Sequence, residues 1–262
     1  MQFACLTGVA PGADVMAQCV VIADAGCQGV ETIVFPTTDL ERWQHELDIA
    51  ATNVNLQPVA VILGGLALVA GDQTSYIREA MQAISELGAA VLLTPEYQSQ
   101  NPLPLFPPYP VPLVVEQARV DAAINEISAI ATALNARVLL EPITQFESRF
   151  WRDVDTVRQV CERLNNPLVQ VVLDFHNMNI TEADINQSIR NTGAHIGHVH
   201  LADNNRRLPG HGHIQFAGGL GALREVGYSG WFSFECAIGK DDFAAELRRS
   251  MSWLNGLQPA AN

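Results

Sequence analysis

The run His198-Val199-His200-Leu201-Ala202-Asp203-Asn204-Asn205-Arg206, continued by Pro209-Gly210-His211-Gly212-His213, holds four of the chain's seven histidines. It reads as the end of a buried strand that opens into a polar, glycine-bent loop. Imidazoles at this density, beside an acid, a base and a Pro-Gly bend, suit proton transfer or metal ligation better than packing. Three other apolar runs end in a carboxylate: Val138-Leu139-Leu140-Glu141, Val171-Val172-Leu173-Asp174 and Trp231-Phe232-Ser233-Phe234-Glu235. If these four runs are neighbouring strands, Glu141, Asp174, His200 and Glu235 converge without being close in sequence. Three carboxylates and one imidazole form a mainly oxygen donor set for one divalent cation, suited to Mn2+, Mg2+ or Co2+ and less specifically to Zn2+. Without a cation, so many carboxylates in one cavity would repel each other and raise each other's pKa. His198 lies two residues before His200 and points to the same side of the strand. It reads either as a hydrogen-bond partner behind the site or as buried polar packing. His211 and His213 fall in the bent loop and read as solvated surface.

The elements that must position these residues follow from periodicity and punctuation. Apolar, strand-like runs occur at 3–6, 30–35, 59–63, 90–93, 137–140, 168–173, 196–201 and 231–234. Helical patterns fill the intervals, several opened by an aspartate, such as Asp14 and Asp39, and closed by a glycine, such as Gly26, Gly88 and Gly227. They include 114–134, 154–164, 182–192, 218–226 and 241–254. Pro102 to Pro112 carries six prolines and cannot be regular helix or sheet. This proline-rich loop, at about 98–112, either lids the site or packs on a neighbour. The βα rhythm continues unchanged beyond it, which favours a single domain spanning 1–262 over two domains. Eight strands alternating with helices in about 250 residues imply an α/β fold of the (β/α)8 TIM barrel type, whose active sites form at the C-terminal strand ends. A doubly wound open sheet is the competing architecture. It usually carries a glycine-rich phosphate loop after its first strand, and Thr7-Gly8-Val9-Ala10-Pro11-Gly12 is not one.

Composition narrows the function classes. The 262 residues are 48% hydrophobic and 16% charged, with a formal charge of -13, which argues against a nucleic-acid partner. The five cysteines are odd in number, scattered and without a CxxC, so a disulfide framework is not expected. No basic segment with an apolar stretch opens the sequence, and no uncharged run is long enough to span a membrane. A cytoplasmic protein with no membrane partner is the expectation. The proline-rich loop and the apolar content suggest a homodimer or homotetramer.

Taken together, Leu140-Glu141-Pro142, Phe146-Glu147, Leu173-Asp174, His198-Val199-His200, Asn205-Arg206, Pro209-Gly210-His211-Gly212 and Phe234-Glu235 resemble the xylose-isomerase-like barrel superfamily of sugar phosphate isomerases and epimerases. The branch they most resemble is that of the ketose 3-epimerases and hydroxypyruvate isomerases. The motifs cover roughly 135–240, and the rhythm covers the whole chain. The resemblance implies metal ligation by Glu141, Asp174, His200 and Glu235, with Glu141 and Glu235 doubling as the acid/base pair. Glu147 and Arg206 match positions that bind substrate oxygens. The family usually places a histidine three residues after the aspartate. Here that position is Asn177, and the histidine falls one earlier, at His176. Either His176 serves through a local shift or Asn177 replaces it.

The expected function is a divalent-metal-dependent sugar isomerase or epimerase, in carbohydrate metabolism, with manganese among the candidate cations. It would abstract a proton α to a carbonyl and pass through an enediolate. The substrate would be a ketose, a ketose phosphate or a small hydroxy-keto acid. Arg149, Arg206 and Arg207 are candidates for holding a phosphate. The alternatives are a metal-dependent dehydratase, which would lose a β-hydroxyl from the same kind of enolate, and a non-catalytic sugar-binding barrel. An apurinic-site endonuclease would require histidines at the early strand ends, and none occurs between His45 and His176.

Overall fold

In the computed structural model of the chain, which describes residues 1–70, 73–97, 104–239 and 242–257, eight strands close edge to edge in sequence order. All eight neighbouring pairs are parallel. In order the elements are β1 (Gln2–Leu6), α1 (Val15–Asp24), β2 (Gly29–Val34), α2 (Leu40–Asn53), β3 (Gln57–Leu63), α3 (Thr74–Glu86), β4 (Ala90–Leu93) and α4 (Val114–Leu134). They continue as β5 (Val138–Leu140), α5 (Val154–Leu164), β6 (Val169–Asp174), α6 (Phe175–Thr181), α7 (Ile185–Thr192), β7 (Ile196–Leu201), α8 (Phe216–Glu225), β8 (Trp231–Phe234) and α9 (Phe243–Gly256). This is the (β/α)8 barrel that the alternation implies.

Local chemistry sets the helix starts. Asp14, Asp39, Asp153 and Asp184 each accept a hydrogen bond from a backbone N–H in the first turn of α1, α2, α5 and α7. The main departure from the sequence pattern is the interval after β6. Instead of one helix over 182–192, the short α6 follows β6 directly and α7 comes second. Asp174 is the reason: its carboxylate accepts from His176 N at 2.8 Å and starts α6 at the strand end. Glu182 then occupies the break, accepting from Val154 N and from the hydroxyls of Thr181 and Ser188.

Most of the core lies between the sheet and the helices, where the strands turn Val30, Val61, Val91, Val171 and Val199 outward. A second, smaller apolar cluster, including Ala4, Ala90, Leu92, Leu139 and Val172, comes from the opposite faces of the strands and fills the barrel. Two register shifts interrupt the ladder, one between Val30 and Glu31 on β2, the other between Val171 and Val172 on β6. Bulges of this kind re-aim side chains. Here they lie beside Glu31 and His198.

Of the proline-rich loop, 98–103 lie outside the described residues, and 104–113 form neither helix nor strand. Tyr109 packs edge-on against Phe146, and Arg152 donates to the carbonyl of Pro110. Among the described residues, no helix is long and apolar enough to cross a membrane.

Candidate active site

The C-terminal ends of β5 to β8 set the site. Asp174 pairs in register with His200, and His200 with Ser233. Glu141 and Glu235 extend the ladder one step past their strands, donating their backbone N–H to Leu93 O and Leu201 O. Since side chains alternate along a strand, Glu141, Asp174, His200 and Glu235 all face inward. One ligand atom from each lies within 4.8 Å of all the others. His200 Nδ1 is 2.9 Å from Glu141 Oε1 and 3.2 Å from Glu235 Oε2. Asp174, His200 and Glu141 are buried, and Glu235 is partly open to the cavity above.

Burial pushes the Glu141 carboxyl up to about 7, against the pull of His200, with Glu235 and Asp174 adding to the rise. Burial also raises Asp174, opposed by Arg206 and reinforced by Glu235. His200 loses charge stabilisation by burial, yet Glu31, Glu141 and Glu235 together hold its pKa well above the ordinary value. The donors, three carboxylates and an imidazole, fit a hard or borderline divalent ion.

Above the cluster is a cavity of about 540 Å3. Its polar side carries Glu141, Glu147, Asn177, Arg206 and Glu235; its other side, from the ends of β1 to β4, is apolar, with Leu6, Ile33, Phe35, Ile62 and Leu92. Arg206 takes a left-handed backbone, φ 56°, in the loop after β7. Its guanidinium lies 3.4 Å from Asp174 Oδ2, 3.3 Å from Asn177 Oδ1, 3.8 Å from Glu147 Oε1 and 3.9 Å from Glu235 Oε2. Burial weakens its charge, but Asp174, Glu235 and Glu147 raise its pKa overall.

The two candidates after Asp174 go different ways. Asn177 is buried and lines the cavity. His176 is not among the lining residues, and its Nδ1 lies 3.0 Å from the carbonyl oxygen of Asp203. His198 also lies off the cavity, fully buried, with Nε2 2.9 Å from Glu31 Oε2. Arg149 is committed elsewhere, to Glu96 at 2.8 Å and Glu116 at 2.9 Å. Arg207, His211 and His213 are exposed.

Two side chains without a role in the sequence pattern are central to this arrangement. Glu31 on β2 is completely buried and also reaches His200, with Oε1 3.0 Å from Nε2. Burial alone would raise its pKa, but His200 and His198 together pull it far below the ordinary carboxylate range. The only available signal was that Glu31 is the one charged residue in the run Gly29–Val34. Asp203, 1% exposed, folds the loop that carries Arg206. Its carboxylate accepts from the backbone N–H of Asn204, Gly210, Gly212 and Ile214, and its carbonyl accepts from Arg206 N. A Cβ on Gly212 would collide with Asp203 and Asn204, so this position needs glycine.

A model of the xylose isomerase-like TIM barrel family matches residues 19–257. The chain belongs to this family. Among its xylose isomerase-like relatives, the 3-dehydro-D-guloside 4-epimerase of Escherichia coli (strain K12) is 28% identical over 180 residues, 68% of each chain. A D-psicose 3-epimerase of Ruminiclostridium cellulolyticum is 36% identical over 112 residues, 41% of this chain and 37% of that protein. The fold of the apo 3-keto-D-glucoside 4-epimerase of E. coli matches with a TM-score of 0.83 at 22% identity, over 98% of this chain and 99% of that one. These relatives are epimerases, enzymes of the isomerase class.

Proposed function

We propose that the chain is a metal-dependent epimerase or isomerase of an unphosphorylated keto sugar, acting by proton transfer α to the carbonyl. The observation that carries this reading is the convergence of Glu141, Asp174, His200 and Glu235 at the floor of a cavity walled by Glu147, Asn177 and Arg206. A divalent cation held by those four residues would supply Lewis-acid polarisation of the substrate carbonyl.

The rest of the work falls to the side chains. A carboxylate oxygen of Glu141 or Glu235 takes the proton from the carbon next to the carbonyl. The C–H electron pair becomes the C=C bond of an enediolate, and the carbonyl π pair moves to oxygen. If the other carboxyl returns a proton to the same carbon from the opposite face, the product is an epimer. If the proton goes instead to the former carbonyl carbon, and the adjacent hydroxyl passes its proton to the former carbonyl oxygen, the product is an isomer. Arg206 and Asn177 would donate to substrate oxygens, and Glu147 would accept from a hydroxyl.

Among the described lining residues Arg206 is the one cation, and three carboxylates already surround it. No other basic side chain among the described lining residues is left to hold a phosphate dianion, which supports an unphosphorylated substrate.

The test is proton NMR in D2O of the metal-loaded protein with a panel of ketoses, 3-keto glycosides and hydroxypyruvate. Deuterium entering α to the carbonyl with wild type, and not with Glu235→Gln, is the expected result, and the labelled carbon separates epimerase from isomerase. A dehydrated product would move the assignment to a lyase. No exchange with any of these compounds in metal-loaded protein would favour a sugar-binding barrel.

A further inference from the structure

Glu31 and His198 lie in the barrel interior, away from the cavity, on strands separated by β8 and β1. Small side chains on the intervening strands make room for them to meet: Ser233 and Ala4 are direct register partners. The Glu31 carboxylate is shared between two imidazoles, with Oε1 3.0 Å from His200 Nε2 and Oε2 2.9 Å from His198 Nε2. The two rings stand edge to face, 5.1 Å apart and at 86°.

We infer that Glu31 is a positioning residue for the cation site, holding His200 in the metal-loaded site as its Nε2–H tautomer, with Nδ1 left to face the cation among Glu141, Asp174 and Glu235. This rests on the reading that those four residues bind a divalent ion. The argument is one of donors and acceptors. An ionised carboxylate can only accept, so the ring nitrogen facing Glu31 carries hydrogen. A histidine ligates through an unprotonated nitrogen, and the remaining one is Nδ1, the atom 2.9 Å from Glu141 Oε1. His198, through its 2.9 Å contact with the second oxygen of Glu31, fixes the carboxylate with its other oxygen on His200. Carboxylates placed behind metal-bound histidines act in this way, and their loss typically weakens metal affinity by about 10–100-fold.

The experiment is calorimetric titration of chelator-stripped, full-length protein with Mn2+, comparing wild type, Glu31→Gln and His198→Gln, with circular dichroism to establish that each variant is folded. It is joined by long-range 15N–1H NMR of the histidine rings in the Mg2+-loaded wild type. The expected results are one Mn2+ per chain in wild type, about 10–100-fold weaker binding in Glu31→Gln, a smaller loss in His198→Gln, and a proton on Nε2 of His200. A folded Glu31→Gln with wild-type affinity would overturn the inference while leaving the cation site intact. So would an Nδ1–H tautomer in the metal-loaded wild type, a measurement that needs no variant to fold. Two Mn2+ per chain in wild type, falling to one in Glu31→Gln, would make Glu31 a ligand instead. Wild type that binds no Mn2+ would overturn the reading of the four-residue site and this inference with it.

Discussion

Arg206 and Asp174 form an ion pair of 3.4 Å directly over the carboxylate cluster, with Asn177 Oδ1 held by the other arm of the same guanidinium at 3.3 Å. Arg206 is thus both the positive wall of the cavity and a competitor for the charge that would hold a cation. Arg206→Gln should lower kcat/KM by about 10–100-fold, the loss expected for one hydrogen bond to a charged group. The same variant should bind Mn2+ at least as tightly as wild type, because a positive charge is removed from the ligands. Steady-state kinetics beside metal titration would separate the two effects, and unchanged kinetics would remove Arg206 from the substrate site.

As a metal ligand, Glu141 would make binding depend on pH. Its carboxyl is pushed to about 7, first by burial, and must be ionised to ligate. His200, held well above its ordinary pKa, must also give up a proton to ligate, so Mn2+ affinity should fall with pH from above 7 and more steeply below it, by about tenfold per unit for each proton displaced. Titration at pH 8, 7 and 6 checks it; a flat profile would contradict the assignment of Glu141 as a ligand.

The metal-free protein should show the opposite trend from this group. A folded-state pKa raised from 4.5 to about 7 means that the folded state binds more protons between those values. The stability that Glu141 contributes is fully present below about pH 4.5 and lost as pH rises to 7. Glu31, whose pKa is depressed in the folded state, contributes stability of opposite sign, lost only on strong acidification. Glu141→Gln should consequently melt at a higher temperature than wild type at pH 8 in the presence of chelator. Thermal melts of the two proteins at pH 5 and pH 8 would show whether the gap opens on the alkaline side.

Glu235 is partly open to the cavity, so replacing it does not disturb the packed interior. Glu235→Gln should leave the melting temperature within a few degrees of wild type and reduce kcat by at least about 10²–10⁴-fold, the range of one acid/base group. Turnover close to wild type in metal-loaded Glu235→Gln would rule out its role in proton transfer.

Asp203 should prove structural, with a functional consequence. Removing its carboxylate leaves four backbone N–H groups without their partner, at roughly 1–3 kcal/mol for each that stays buried. Asp203→Ala should lower the melting temperature markedly and weaken substrate binding, because the loop that aims Arg206 loses its anchor. Urea unfolding and KM measured together test both; a full-strength KM would show that the loop holds its shape without Asp203.

The barrel was legible in the sequence because its determinants are local. Short β-branched runs alternate with capped helical patterns, and a parallel barrel is the closed way to bury eight such strands. Glu141, Asp174, His200 and Glu235 stood out for the same reason: each interrupts or ends an apolar run, which registers within a few residues. Glu31 did not stand out. Strands of a parallel barrel are buried on both faces and show no clean alternation, so nothing local says that Glu31 faces inward, and its partners His198 and His200 are 167 and 169 residues away. The choice between His176 and Asn177 was equally closed to the sequence. It depends on α6 starting at Asp174, which turns Asn177 to the cavity and His176 to Asp203. The residue types and their order along the chain therefore determined the barrel and the candidate donors. Tertiary structure decided which side chains back them, because that depends on register across a closed sheet and on rotation within one short helix.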